Sequence, residues 1–284
     1  MIKADEITPV QKIGDYYFKR DDLFMPFDFS PANGSKLRQC ILLVQKNAGA
    51  ARMGLFTGTS VHSPQAVITA SVAKSLGVGC TIVYGGLNAE QARKHKYYNI
   101  CKRLGARVEF EKVGYTSAVS KKAEQLAQAA GGFAIHYGFD LRNNIDVFMD
   151  SVAQQVCNIP DELDYLVVTC GSAITISGIM LGVAKYKKNI RYIVAVGCAP
   201  NRENKIKEYA NMIERSTGYS LPIERLSYCD CYNKLKGYKY EQTQSAFYYG
   251  IVFHPRYEAK TFNFMQRYIP KGARTLMWVV GHDI

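Results

Sequence analysis

Short apolar segments alternate with helical segments through the middle of the chain, and this alternation limits the fold more than any other feature of the sequence. Buried strands are predicted at residues 53–57, 80–84, 107–110 and 133–136. Helices are predicted between them, at 63–75, 89–104 and 117–130. Strands joined by helical crossovers pair in parallel. We therefore predict a small α/β domain with a parallel sheet at residues 50–138.

The same alternation continues in the second half of the chain. It predicts strands at residues 165–169, 192–196 and 274–280 and helices at 145–157 and 176–186. Near the start, residues 16–20 predict a strand and 37–46 a helix. We assign these elements to a large domain of residues 1–49 plus 139–284. The predicted fold class is α/β, with two open, twisted, mostly parallel sheets flanked by helices.

The composition is that of a soluble globular protein. The chain has 284 residues, of which 48% are hydrophobic and 21% charged. It has no apolar run as long as a membrane helix, so we expect a cytoplasmic protein and no membrane partner. Its eight cysteines have no CxxC spacing, which favours buried reduced thiols and no metal site.

The charge is strongly basic. There are 36 lysines and arginines against 24 acidic residues, a formal net charge of +12. A small free amino acid requires no such excess, whereas a polyanionic substrate would be attracted by it. Simple solubility is the alternative explanation. Basic clusters lie at Arg93–Lys96 and Lys185–Arg191, and lysines and tyrosines interleave from Tyr228 to Tyr249. That interleaving suits either base stacking or an edge strand.

Lys36 is the first candidate for covalent chemistry. It follows the small, flexible stretch Asn33–Ser35 and precedes the apolar run Cys40–Val44. A lysine held in such surroundings can lose part of its solvation, and desolvation supplies the neutral amine that imine formation needs. The alternative is an ordinary lysine in the first turn of a helix.

Several motifs around Lys36 resemble one family. In order along the chain they are Phe18–Leu23, Asn33–Arg38, Gly58–Ala66, Val168–Gly178 and His254–Lys260. Together they are similar to the pyridoxal-phosphate enzymes of fold type II, the tryptophan-synthase-β-like group. The similarity is greatest to the branch of 1-aminocyclopropane-1-carboxylate deaminase and D-cysteine desulfhydrase. The resemblance implies pyridoxal 5'-phosphate in an interdomain cleft, with Lys36 as its Schiff-base lysine.

The turn Gly171–Thr175 resembles the family's phosphate-binding turn. It lies between a predicted strand and a predicted helix, where backbone N–H groups and the helix dipole stabilise an anion. The cofactor-binding residues implied are Gly171, Ser172, Ala173, Ile174 and Thr175. Ala173 and Ile174 replace two glycines of the family, so either the loop avoids positive φ there or the turn is altered.

The loop Gly58–His62 is similar to the family's substrate loop, whose amides receive the substrate carboxylate. Ser60 matches the catalytic serine, and His62 matches a cofactor-binding position. Val61 stands where the family has an asparagine that contacts the pyridine hydroxyl, which puts that contact in doubt. His62 can equally be a hydrogen-bonded loop histidine.

Tyr257 and Glu258 match the deaminase branch of the family. There, the tyrosine works at the substrate and the glutamate faces the pyridine nitrogen of the cofactor. An ionised Glu258 would keep that nitrogen protonated, which makes the ring a stronger electron sink. An ordinary surface Tyr-Glu pair is the alternative.

These observations favour a pyridoxal-phosphate-dependent lyase, and first a decarboxylase. The predicted substrate is an amino-acid group attached to a modified pyrimidine in DNA, since viral DNA-hypermodification pathways contain similar enzymes. Such a protein would act as a homodimer in the host cytoplasm. The first alternative is a deaminase or desulfhydrase of a small free amino acid. The second is a non-catalytic nucleic-acid-binding descendant of the fold.

Overall fold

The computed structural model describes residues 2–138, 144–200 and 202–283. Within these ranges the chain forms two compact units. Residues 2–4 and 25–138 are called the small unit, and residues 5–24, 144–200 and 202–283 the large unit. Among the described residues, no helix has both the length and the apolar character needed to cross a membrane.

The secondary structure alternates strands with helices over most of the chain. The strands are β1 Val10–Ile13, β2 Tyr16–Arg20, β3 Leu55–Gly58, β4 Cys80–Gly85, β5 Arg107–Glu111, β6 Phe133–Ile135, β7 Glu162–Cys170, β8 Asn189–Gly197, β9 Leu226–Cys229, β10 Phe247–Tyr248, β11 Ile251–Val252 and β12 Thr275–Val279. The α-helices are α1 Gly34–Lys46, α2 Ala48–Ala51, α3 Gln65–Leu76, α4 Ala89–Arg93, α5 Lys96–Arg103, α6 Thr116–Ala130, α7 Ile145–Ser151, α8 Ile174–Lys185, α9 Glu203–Thr217, α10 Cys231–Lys234 and α11 Glu258–Tyr268. Short 3-10 helices cover Asp21–Leu23, Ala153–Asn158 and Ile223–Arg225.

The small unit is built on a sheet with the strand order β5-β4-β3-β6, and its strand pairs are parallel. Every residue of the central strand β3 is buried, as expected for a parallel strand with both faces covered. α6 packs very closely on the end of this strand. A β-carbon at Gly58 would collide with the carbonyl group of Val119 in α6. Glycine at this position therefore permits the close approach of helix and strand.

The large unit is built on a sheet with the strand order β1-β2-β12-β7-β8-β9. β1 and β2 pair antiparallel, and every other neighbouring pair is parallel. Side chains of β7 alternate between two apolar clusters. Leu166 and Val168 lie in the cluster that includes residues of α8 and α9, and Val167 lies in the cluster that includes residues of α11. Helices therefore cover both faces of this sheet, and the predicted fold class is confirmed.

The two units divide the chain differently from the predicted boundary at residue 49. Residues 25–49 belong to the small unit, because this segment packs on α3. Ser30 Oγ lies 2.5 Å from Ser71 Oγ of that helix, and Lys74 Nζ lies 5.4 Å from the ring centre of Phe29. Residues 5–24 remain with the large unit, where β2 pairs with β12.

Two predicted helices are interrupted. The predicted helix at 89–104 forms α4 and α5, because His95 has extended backbone angles of φ −101° and ψ 130°. Asn88 and Gln91 form a reciprocal capping box that fixes the start of α4. The predicted helix at 145–157 is α7 followed by a 3-10 segment.

Residues 202–250 contain more regular structure than the sequence predicted. α9 buries Ile206, Tyr209 and Ile213 on one face, and β9 joins the edge of the large sheet. Part of the interleaved tyrosines and lysines packs into the protein: Tyr238 is buried, and its hydroxyl donates to the carbonyl of Lys260. The apolar positions of α9 recur with helical spacing in the sequence. The many charged residues between them make this pattern hard to recognise.

Candidate active site

Lys36 is the third residue of α1, which begins with a sharp turn. The cap residue Asn33 is extended, and Gly34 has a φ of 82°, a left-handed value that favours glycine. Ser35 and Leu37 are fully buried, whereas Lys36 is half-buried. The backbone of Lys36 is therefore firmly held. Its side chain is more exposed to solvent than we expected from the apolar run Cys40–Val44 that follows it.

Lys260 is buried more deeply than Lys36, but its amine is hydrogen-bonded to backbone carbonyl groups. Burial lowers the pKa of this amine. Its Nζ donates to the carbonyl oxygen of Tyr238 at 3.3 Å and to that of Lys239 at 2.8 Å. These hydrogen bonds attach α11 to the preceding segment, so Lys36 remains the candidate for covalent chemistry.

The loop after β3 forms a tight turn. The hydroxyl of Ser60 accepts a hydrogen bond from the backbone N–H of His62 at 3.3 Å, and the carbonyl of Ser60 accepts one from Ser63 at 2.9 Å. Val61, at the centre of the turn, is buried. An apolar side chain in this position cannot make the polar contact that the family's asparagine makes, as the sequence indicated.

This loop forms one wall of a cavity of about 310 Å³ in the small unit. The other lining residues follow β4 and β5 or begin α5 and α6; they are Gly85, Gly86, Leu87, His95, Gly114, Thr116 and Val119. The rings of His62 and His95 meet edge to face, with centroids 4.8 Å apart. The cavity lies at the carboxyl ends of parallel strands, the edge at which open α/β sheets bind ligands.

The turn Gly171–Thr175 joins β7 to α8. Ala173 has a φ of 70°, so an alanine adopts the left-handed conformation of a glycine, at a cost of about 1–2 kcal/mol. The carbonyl of Ala173 accepts hydrogen bonds from the backbone N–H and the hydroxyl of Ser177. Ile174 is buried in the first turn of α8. The loop therefore keeps positive φ at Ala173, contrary to the first of the two predicted alternatives.

The first N–H groups of α8 are oriented for an anion. No side chain caps this helix in the described structure. Its leading N–H groups lack intrahelical partners, as in any α-helix, and the positive end of the helix dipole adds to the attraction. The turn can therefore hold a phosphate group.

Arg202 adds a cation to this turn. It was not among the site residues predicted from the sequence. Its Nε donates to the carbonyl of Gly171 at 3.0 Å, and its backbone N–H donates to the hydroxyl of Tyr228 at 3.1 Å. The sequence signal was available: Arg202 follows β8, and carboxyl ends of adjacent parallel strands share one edge of a sheet.

Tyr257 and Glu258 begin α11 beside the same turn. A β-carbon at Gly171 would lie 3.7 Å from Cε1 of Tyr257. The ring of His254 lies 4.9 Å from the ring of Tyr257, between centroids. Glu258 is 3% exposed, so the alternative of a surface Tyr-Glu pair is wrong for the glutamate. A buried carboxylate at a helix N-terminus is stabilised by the helix dipole.

Buried thiols surround this group of residues. Burial raises the pKa of Cys170, the last residue of β7, to about 12, although the nearby Arg202 opposes the shift. Burial also raises the pKa of Cys198, and Glu258 is among the charges that raise it further. Both thiols therefore stay protonated at neutral pH and contribute no charge of their own.

The structure thus brings the predicted residues together in two groups. In the large unit, the turn Gly171–Thr175 lies beside Tyr257, with Glu258 adjacent. In the small unit, Ser60 and His62 line the cavity; Lys36 lies on α1 of the same unit and is not among the residues that line it. Arg202 and His95 join these two groups as residues that were not predicted to be site residues.

Comparison with known proteins identifies the family. The family described as "Pyridoxal-phosphate dependent enzyme" matches residues 1–228. The chain belongs to this family. Pyridoxal phosphate is accordingly its cofactor, and the resemblance inferred from the sequence motifs is confirmed.

Two curated relatives indicate the branch. The chain is 25% identical to "O-seryl-dTMP PLP-dependent decarboxylase" of Salmonella phage ViI, over an alignment of 331 positions that covers 93% of this chain and 77% of the phage protein. It is 27% identical over 238 residues to a Pyrococcus furiosus protein named provisionally as a 1-aminocyclopropane-1-carboxylate deaminase. That alignment covers 77% of this chain and 68% of the relative.

A solved structure shares the fold. The crystal structure of an ACC deaminase homologue superimposes with a TM-score of 0.78 at 20% identity, covering 99% of this chain and 91% of that chain. A similarity at this level of identity shows the fold alone.

The residues of this chain fit pyridoxal phosphate. The left-handed turn at Ala173, with the uncapped start of α8, suits its phosphate, and the buried Glu258 carboxylate suits its pyridine nitrogen. Lys36 is half-buried, and its amine is the group that would bind the carbonyl carbon of the cofactor.

Proposed function

We propose that this chain is a decarboxylase that removes the carboxyl group from an amino-acid substituent on a modified pyrimidine in DNA. The observation that carries the proposal is the alignment with the phage O-seryl-dTMP decarboxylase, which covers 93% of this chain. The basic cluster Arg93–Lys96 beside the small-unit cavity supports a phosphate-bearing substrate. In a phage infection, such an enzyme would work in the host cytoplasm, and we propose a homodimer, which sedimentation would test.

Each predicted residue has a role in this proposal. Lys36 would bind the carbonyl carbon of the cofactor, the turn Gly171–Thr175 would hold its phosphate, and Arg202 would add positive charge to that turn. Glu258 would accept a hydrogen bond from the pyridine nitrogen and would keep it protonated. When bound, pyridoxal phosphate supplies an electron sink for the bond that breaks at the substrate Cα.

The chain's other residues bind the substrate and move protons. The loop at Ser60 and His62 would bind the substrate carboxylate, as the resemblance to the family implies, and the buried Val61 would leave the cofactor without one polar contact. Decarboxylation breaks the bond between Cα and the carboxyl carbon. Carbon dioxide leaves, and the electron pair of the broken bond stays with Cα. Lys36 Nζ or the hydroxyl of Tyr257 then returns a proton to Cα.

The two predicted basic clusters are not equivalent in the structure. Lys185–Arg191 ends α8 and begins β8, whereas the turn Gly171–Thr175 follows the opposite end of the neighbouring strand. Eight residue steps along these strands separate the two ends by about 26 Å. The cluster Arg93–Lys96 instead includes His95, which lines the small-unit cavity. We therefore assign substrate DNA to Arg93–Lys96 and withdraw the expectation for the other cluster.

A deaminase of a small free amino acid is the second candidate. Tyr257 and Glu258 match the deaminase branch, and the Pyrococcus furiosus relative supports it. This activity would release ammonia and would be indifferent to the basic cluster.

The two candidate activities release different products: the decarboxylase releases carbon dioxide, and the deaminase releases ammonia. The cofactor-loaded protein is incubated with an oligonucleotide in which the side-chain oxygen of a serine is bonded to the C5-methyl carbon of a pyrimidine, so that the amine and the carboxylate of the serine are free. After digestion, nucleosides are analysed by mass spectrometry beside an ammonia assay and a Lys36→Ala control. We expect loss of carbon dioxide with the nitrogen retained. Ammonia release from free amino acids, with the oligonucleotide unchanged, would reverse the ranking.

A further inference from the structure

The small-unit cavity has features that binding of a carboxylate does not explain. Its volume of about 310 Å³ is at the lower limit of the range for small-molecule sites, roughly 300–1,000 Å³. A carboxylate held by the Ser60 turn occupies only one wall. We infer that the opposite wall binds a phosphate group of the substrate, a site separate from the turn that holds the cofactor phosphate. This inference rests on the proposed function, because it assigns the part of the substrate that does not react.

The opposite wall carries donors suited to phosphate oxygens. His95 and Thr116 line it, and an imidazole N–H and a hydroxyl both donate hydrogen bonds to anions. His62 approaches from the loop, with its ring centroid 4.8 Å from that of His95. Donors from three separate segments therefore converge on one space.

Two helices begin at this wall. His95 is the residue before α5, which has eight residues, and Thr116 is the first residue of α6, which has fifteen. Neither helix has a side-chain cap among the described residues, so their first N–H groups are oriented outward. The positive ends of both helix dipoles thus favour an anion here.

A buried hydroxyl supplies an independent observation. Thr59 is 3% exposed and lines the cavity. Its Oγ1 has no hydrogen-bond partner within the described part of the chain. Buried hydroxyls in proteins are almost always satisfied by protein, water or a bound group. Because Thr59 belongs to the loop of Ser60, its hydroxyl indicates that the cavity takes a polar ligand, while the donors of His95 and Thr116 assign that ligand's phosphate to the opposite wall.

The residues around the cavity carry a net positive charge, which also favours an anionic ligand. The segments 85–96 and 111–119 contain four basic residues, Arg93, Lys94, Lys96 and Lys112, against the acidic Glu90 and Glu111. Arg93 and Lys94 are exposed, so they can act on the charged substrate before it enters. A neutral pyrimidine ring would gain nothing from these charges, which favours phosphate as the ligand.

Two sources of phosphate share this chemistry, a free nucleotide and the phosphodiester of a DNA strand. Binding is measured on the cofactor-loaded protein, in which the turn Gly171–Thr175 is already occupied. The probes are thymidine, thymidine 5'-monophosphate, inorganic phosphate and a short single-stranded oligodeoxynucleotide. The readouts are affinity by calorimetry and the NMR shifts of the His62 and His95 side chains.

The variants are His95→Asn and Thr116→Val, with His136→Asn as the control. His136 belongs to the same unit but pairs with Glu124 at 3.0 Å and does not line the cavity. Since Thr116 is exposed, its substitution leaves folding intact even if His95→Asn unfolds. Equal thermal stability of each variant and wild type is checked first.

We expect thymidine 5'-monophosphate or the oligonucleotide to bind at least about tenfold more tightly than thymidine, and to shift the His95 signals. His95→Asn should remove about tenfold of that affinity and Thr116→Val several-fold, with His136→Asn unchanged. Preference for the monophosphate identifies a free nucleotide, and preference for the oligonucleotide identifies DNA; both support the site.

Equal binding of thymidine and every phosphate-bearing probe by the wild type would overturn the inference. So would full affinity in both cavity variants. These results are independent of turnover: decarboxylation without phosphate preference would leave the proposed function standing and remove only this site. Phosphate binding without decarboxylation would do the reverse.

Discussion

Lys36 is the residue on which the proposed chemistry depends most. It is held between buried neighbours at the start of α1, while Lys260, whose pKa is lowered by burial, is engaged with backbone carbonyls. We predict that purified protein loaded with pyridoxal phosphate absorbs in the near-visible range and that Lys36→Ala loses both the band and turnover. Lys46→Ala, at the exposed end of the same helix, should keep both. A Lys36→Ala protein that retains the band would exclude this lysine.

The buried carboxylate of Glu258 leads to a second prediction. Glu258→Gln keeps a hydrogen-bonding side chain of the same size but cannot hold the pyridine nitrogen protonated. We expect normal cofactor binding and turnover reduced by at least about a hundredfold, equivalent to roughly 3 kcal/mol. Glu241→Gln, an exposed glutamate in the same unit, is the matched control. Wild-type turnover in Glu258→Gln would show that this residue does not face the pyridine nitrogen.

The pKa of Cys170 predicts how the thiol beside the phosphate turn responds to pH. Burial raises it from 9.0 to about 12 in the folded protein. A raised pKa means that the protonated thiol's contribution to stability is complete below pH 9 and is lost as pH rises towards 12. At pH 9, iodoacetamide should therefore modify Cys170 in urea but not in the native protein.

Peptide mass spectrometry measures this difference, and the partly exposed Cys157 serves as the internal control. We expect Cys157 to react in the native protein and Cys170 to remain unmodified. Comparable rates at the two cysteines would mean that the end of β7 opens to solvent.

At the scale of elements, the turn into α8 makes a prediction about backbone strain. Ala173 has positive φ, and glycine would relieve roughly 1–2 kcal/mol of strain. The gain is offset by the greater freedom of glycine in the unfolded chain and by the loss of a buried methyl, about 0.8 kcal/mol. Ala173→Gly should therefore change the free energy of unfolding by less than about 0.5 kcal/mol.

The control is the same substitution within α8. Ala184→Gly meets no positive φ and should cost about 1 kcal/mol, the ordinary penalty of glycine in a helix. Urea denaturation of both variants measures the difference. If Ala173→Gly costs as much as Ala184→Gly, the left-handed conformation at Ala173 carries no strain.

At the scale of the whole molecule, the distribution of charge predicts how DNA binds. If Arg93 and Lys94 contact phosphates, affinity for single-stranded DNA should fall with salt by about 0.7 logarithmic units per tenfold salt for each phosphate neutralised. Reversing both charges to glutamate should weaken binding and reduce that slope. Reversing Lys185 and Lys187 should leave the slope unchanged, since that cluster lies at the amino-terminal end of β8.

Fluorescence anisotropy across a salt series distinguishes the two pairs. Equal effects of both reversals would indicate attraction to the net charge rather than contact at the small-unit cavity. In that case, the assignment of DNA to Arg93–Lys96 would fail.

From β2 to β8, most of the order of strands and helices was readable from the sequence, because both depend on contacts within a short stretch of chain. Apolar runs of four or five residues identified β3, β4 and β7, since a parallel strand buried on both faces has few polar side chains. The turn Gly171–Thr175 was readable for the same reason: a strand, a small-residue turn and a helix are consecutive. The structure added the left-handed conformation of Ala173, which alanine seldom adopts.

Tertiary structure decided which distant residues share a site. Gly171 and Arg202 meet because β7 and β8 are adjacent and parallel, so that their carboxyl ends share one edge. His62 and His95 meet because the loop after β3 and the break between α4 and α5, the helices that follow β4, lie at the same edge of the small sheet. Residue types along the chain determine the local elements, whereas the order in which strands pair determines which of their ends become neighbours. That pairing depends on contacts between segments far apart in sequence, which a single chain's local pattern does not encode.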